Sequence, residues 1–260
     1  MNKIFLYECR RLLWNKFFFG ILLILLLFGW QVLDQVTILG VAHTAPFSPW
    51  SFGDYLSRML PLLWIGALFF LTFFTSEKAR RVTVLTDAAP VPPRSFAMIR
   101  GAAALAGTGL LAFACLAEAA VFYAWYFDWY AWGELLLPAL ATLLPSLVFS
   151  LGSGWLLEQA SPKLVYVWMV LPFLCMALPL PEPLGILNGS FFTTWPSVLG
   201  TLDPAFSMSV SVAAVQCLLF LAGVVLLALR PVGKGEKRFP GRESFSITQK
   251  FSGSNVSKKD

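Results

Sequence analysis

The sequence has one histidine, His43, and little charge: Asp, Glu, Lys and Arg make up 13% of its 260 residues. Soluble domains carry about 25% charged residues, so this chain lacks the material for a water-facing globular surface. A single histidine excludes the two-histidine helix of a zinc protease. It also denies a histidine base to the Gly152, Ser153, Gly154 stretch, which reads as small residues for close helix packing. A phosphate-binding loop is missing as well. Gly233 and Lys234 would need Gly at position 228 and Ser or Thr at 235, where Ala228 and Gly235 stand. The chain is therefore read as no enzyme, with no catalytic, cofactor or metal site of its own. Any ATP that drives it is hydrolysed by a separate chain. The cysteines are Cys9, Cys115, Cys175 and Cys217, all in the N-terminal head or in apolar runs, and free thiols are expected.

What the sequence has in abundance is apolar residues, at 58% with a mean hydropathy of +0.73. The bilayer is the solvent such a chain fits. Runs at 17–39, 59–75, 101–125, 135–157, 164–180 and 207–229 approach the roughly 20 residues needed to cross ~30 Å of hydrocarbon. The fold expected is all-α and integral to the membrane, with six transmembrane helices in a domain spanning 17–230. Residues 1–16 form an amphipathic interfacial helix, with Phe5, Leu6, Cys9, Leu12 and Leu13 on one face and Lys3, Tyr7, Arg10 and Arg11 on the other. Residues 231–260 read as a basic disordered tail.

Orientation follows from the bases. Of the 19 Lys and Arg residues, only Arg58 falls in a segment that this topology places outside, where Asp54, Asp128, Glu134, Glu182 and Asp203 also lie. Lys and Arg concentrate in cytoplasmic connections, so both termini are expected in the cytoplasm. The pI near 9.1 reflects these membrane flanks and not a nucleic-acid surface. Membrane lipids are the partners of such bases.

Trp125, Tyr126, Phe127, Trp129, Tyr130 and Trp132 read as an interfacial belt at the outer end of the third span. Phe191, Phe192 and Trp195 suggest a short helix on or in the outer leaflet within the last outer connection. Pro138, Pro145, Pro172 and Pro179 predict kinks in the fourth and fifth spans. Small residues from Ala102 to Ala114, including the Ala103–Gly107 pair, predict close packing of the third span. Three polar residues lie inside spans. Asp34 and Glu118 each sit about 26 Å from the cytoplasmic end of their span, a depth that favours interfacial anchoring over a proton relay. Gln216 lies near mid-span, where it bonds a neighbouring helix or faces a substrate path.

The connection at 76–100 carries Glu77, Thr83, Leu85, Pro90, Val91, Arg94 and Arg100 in an acid, Thr, Pro-Val, base, base order. It resembles the first cytoplasmic loop of type-2 ABC transporter permeases, with Val82 where many members have Gly and with Pro92 and Pro93 added. The likeness extends to the amphipathic head, the six spans and the longer last outer loop. It implies a bacterial cytoplasmic membrane, a separate ABC-type ATPase that contacts this loop, and a second permease copy. Glu77, Arg80, Arg81, Thr83, Pro90 and Arg94 are then the candidate ATPase contacts. The expected function is the permease subunit of an ATP-driven exporter. A secondary transporter and a non-transporting assembly or immunity protein remain as alternatives.

Overall fold

The computed structural model describes residues 2–75 and 93–228. Among them every regular element is helical: α1 (Asn2–Leu13), α2 (Lys16–Gln35), α3 (Pro49–Thr75), α4 (Pro93–Phe127), α5 (Gly133–Ala160), α6 (Pro162–Ala177), α7 (Ser190–Leu199) and α8 (Val210–Ala228). Short 3-10 turns cover Thr37–Leu39 and Glu182–Leu184.

Local chemistry sets the breaks. Asn15 leaves helical geometry, and its side-chain oxygen accepts a hydrogen bond from the Phe17 N–H at 3.3 Å, which caps α2 and separates it from α1. Proline opens α6 at Pro162, a position where its missing N–H costs nothing. Pro138 and Pro145 lie inside α5 and Pro172 inside α6, and both helices run on through them. Pro179 lies beyond the end of α6.

Among the described residues, five segments are long and apolar enough to cross a membrane: Lys16–Leu39, Pro49–Phe74, Met98–Phe127, Gly133–Ala160 and Val210–Ala228. This is compatible with a multi-pass membrane protein. The run at 164–180 corresponds to α6, an apolar helix of 16 residues. Alone it measures about 24 Å, short of the hydrocarbon thickness. The third helix begins at Pro49, well before the apolar run at 59–75, and the added turns carry Ser51, Asp54, Ser57 and Arg58. These polar residues do not read as a span, yet Ser51, Asp54 and Ser57 are buried because neighbouring elements cover them.

Helix α3 is the centre of the bundle. It packs on α2, α4, α5, α6 and α7, and 67% of its apolar stretch is buried, against 22% for α2 and 17% for α8. Large side chains such as Phe52, Tyr55, Phe70 and Phe74 fill the main core from it. A smaller core at the α7 end joins Trp50, Ile186, Phe191, Phe192 and Val212. There Gly53 makes room for Phe192, since a Cβ at position 53 would overlap that ring. The flanking loops are tied together: the Asp203 N–H donates to the His43 carbonyl at 2.9 Å, and Trp50 Nε1 donates to the Pro204 carbonyl at 2.8 Å. The short helix expected in the last long connection is α7, and it is docked against α3.

Candidate functional site

Of the loop residues singled out above, Glu77, Arg80, Arg81, Thr83 and Pro90 lie outside the described residues. Arg94 is placed only as backbone near the start of α4. Residues 231–260 also lie outside. Both flanks of the loop are described, however, and α1 lies against both.

On the α3 side, the Arg11 guanidinium sits 5.3 Å from the centre of the Phe73 ring. Toward α4, Glu8 approaches Arg100 at 4.0 Å while it also pairs with Arg11 at 3.4 Å. Glu8 is 3% exposed. A carboxylate is seldom buried to that degree without cationic partners, and two guanidinium groups supply them here. One turn further, Leu12 fills the space over Gly107, where a Cβ would lie 2.8 Å from Leu12 Cδ2 and 3.1 Å from the Phe70 ring. The small-residue stripe of α4 thus serves close approach at Ala103 and Gly107, both buried. Burial, followed by the neighbouring Glu8 carboxylate, holds the Cys9 thiol above its ordinary pKa.

The helical wheel of α1 is rotated from the one expected. Leu6 is 71% exposed, and Glu8 takes a buried place beside Leu12. Apolar periodicity overlooks Glu8 because it counts an acid as outward-facing. Phe5, Glu8 and Leu12 nonetheless share one face at i, i+3 and i+7, and Glu8 is the only acid in a helix with three bases, which is the signal that finds it.

Within the bundle, Asp34 is exposed near the end of α2. Glu118 is engaged by other helices. The Tyr55 hydroxyl lies 3.3 Å from Glu118 Oε2 and 3.3 Å from the Cys115 carbonyl oxygen, and Gly29 of α2 abuts the same carboxylate so closely that a Cβ there would collide with it. Helices α2, α3 and α4 therefore meet at Glu118. Gln216 is buried in α8, and neither atom of its amide has a hydrogen-bond partner among the described residues. Helices α5 and α8 form the most extensive pair. A Cβ on Gly223 would lie 2.6 Å from the Phe149 nitrogen, so the two backbones touch.

Ser153 is held inside the fold. Its hydroxyl donates to the Phe149 carbonyl at 2.6 Å and accepts from Trp168 Nε1 at 2.9 Å. Near the α7 end of α3, Arg58 Nε donates to Asp54 Oδ2 at 2.9 Å, an i,i+4 pair with Asp54 buried. Among the described residues no group of His, Cys, Asp and Glu is arranged to hold a metal ion. Comparison with protein-family models, with curated proteins and with solved structures found no match.

Proposed function

We propose that this chain is the membrane-spanning permease subunit of an ATP-driven exporter. The observation that carries the reading is the seat of α1, which grips Phe73 on one side of the 76–92 connection and Arg100 on the other. A load applied to that connection by an ATPase reaches α3 and α4 together, with α1 as the brace. Coupling by displacement of packed helices needs such a stiff junction. Central α3 then passes the movement to α5, α6 and α7, which it touches directly.

In this reading the loop and α1 face the cytoplasm, both termini are cytoplasmic, and α6 completes a sixth span with the residues that follow it. Helix α1 lies at the headgroup level, where Lys3 and Arg10 meet anionic lipid. A second permease copy completes the transport path, and each copy works with an ATPase subunit that binds nucleotide. Export follows from differential contacts of that ATPase with two states of the bundle.

The test is to replace residues 77–94 with a flexible linker of equal length in the tagged chain expressed in its own cell. Vanadate-sensitive ATP hydrolysis should co-purify with the unaltered chain and be lost with the replacement. Absence of such activity from the unaltered chain, or cargo movement by the purified chain without an ATPase, would overturn the reading. The alternative of a secondary transporter predicts that movement.

A further inference from the structure

Arg58 is the one base that the charge pattern leaves outside, and the structure puts it at the edge of two cavities. One, of about 250 Å³, is lined by Phe28, Gln31, Val32, Gln35, Arg58 and Met176. The other, of about 220 Å³, shares Arg58 and is lined on its polar side by Thr37, Ser51, Asp54 and Thr193. Asp54 holds Nε of Arg58 from the second cavity. The two terminal nitrogens of the guanidinium have no hydrogen-bond partner among the described residues, and the Arg58 side chain is 36% exposed.

Among the described residues, no acidic side chain lines the first cavity. Gln31 and Gln35, one turn apart on α2, add amide donors beside the guanidinium. That donor set suits a phosphate oxyanion, which a guanidinium binds through paired N–H groups. The lining also changes along the helix axis. Phe28 lies about 10 Å deeper along α2 than Gln35, and Val32 lies between them. Arg58 itself is about 26 Å along α3 from Thr75, at the depth where a ~30 Å hydrocarbon layer gives way to headgroups.

We propose that this cavity binds a phosphate-bearing glycerolipid of the outer leaflet. Its phosphate sits on Arg58, Gln31 and Gln35, and the first part of an acyl chain lies along Val32, Phe28 and Met176. The volume, just below the ~300 Å³ of small ligand pockets, suits a headgroup phosphate and a few methylenes, with the rest of the lipid in the bilayer. The inference requires that the bundle span a bilayer. It is independent of the exporter reading and stands if no ATPase partner exists.

The test titrates the delipidated full chain in detergent with phosphatidylglycerol, with diacylglycerol of the same acyl chains, and with glycerol 3-phosphate, read by native mass spectrometry. Phosphatidylglycerol should fill one saturable site that the other two do not compete for. Arg58→Gln should weaken it about tenfold, the loss of a charge-assisted contact. Should Arg58→Gln fail to fold, the Gln31→Leu/Gln35→Leu variant keeps the Asp54–Arg58 pair and should weaken the same lipid. Met176→Trp, which fills the apolar end, should also reduce it. Diacylglycerol binding as tight as phosphatidylglycerol would overturn the phosphate contact. Equal competition by glycerol 3-phosphate would make this a soluble-anion site and overturn the lipid assignment. Unchanged phosphatidylglycerol binding in the folded variants would remove the site altogether.

Discussion

Arg11 of α1 lies over the ring of Phe73, the guanidinium carbon 5.3 Å from the ring centre. The contact joins the N-terminal helix to the last turns of the bundle's central helix. A double-mutant cycle with Arg11→Ala and Phe73→Leu, read by thermal unfolding in detergent, should give a coupling of about 0.5–1 kcal/mol. Strict additivity of the two changes would mean that the residues are adjacent without interacting.

Cys9 adjoins that same junction. Its raised pKa, caused first by burial and then by Glu8, keeps the thiol protonated as pH rises through the ordinary thiol range. Alkylation of Cys9, followed by peptide mass spectrometry, should accelerate with pH and reach half its maximum above the pH found for a free cysteine. Because Glu8→Gln removes the second cause, it should lower that midpoint while leaving it above the free value. A midpoint at or below that of free cysteine would contradict the packing of α1.

Gly189 and Gly20 should respond to alanine in opposite ways. Gly189 has φ of 79°, and a Cβ there would lie 2.7 Å from Asp54 Oδ1. Gly189→Ala should cost about 1–3 kcal/mol and lower the unfolding temperature. Gly20 in α2 has nothing within 4 Å of an added Cβ, and Gly20→Ala should stabilise by about 0.5–1 kcal/mol through helix propensity. Equal melting of both variants would show that α7 is not seated on α3.

Gln216 offers a fourth test. Its amide is buried without partners, and replacing such a group with an apolar side chain of similar length relieves a desolvation cost of roughly 1–3 kcal/mol. Gln216→Met should melt at the same temperature as the unaltered chain or above it. A large drop would reveal a hydrogen bond that the buried amide makes in the membrane.

The apolar helices are more legible in the sequence than the contacts between them. Five of the runs fall in helices of spanning length, the run at 164–180 forms a shorter one, and Phe191 and Phe192 marked α7 inside a loop. The first turns of α3 escaped because Ser51, Asp54 and Arg58 look like loop residues until Trp50 and Phe192 are packed around them. Glu8 escaped for a related reason: its burial depends on Arg100, far away in the chain. The depth of Glu118 could be counted in residues, whereas its engagement by Tyr55 and Gly29 depends on three helices meeting. Arg58 was legible as an exception to the charge pattern, but the cavity that gives it a ligand requires α2 and α6 beside α3.

The central position of α3 bears on how the chain is made. Helices α4 to α8 follow α3 in the chain, so in a multi-pass membrane protein α3 enters the bilayer before most of the helices that enclose it are synthesised. An acid and a base that relied on separate helices would meet lipid uncompensated at that moment. Asp54 and Arg58 lie one turn apart on the same helix, and their 2.9 Å contact forms as the helix coils. The nascent segment therefore carries its own neutralisation into the membrane, and the helices synthesised later can assemble around an element already fit to wait for them.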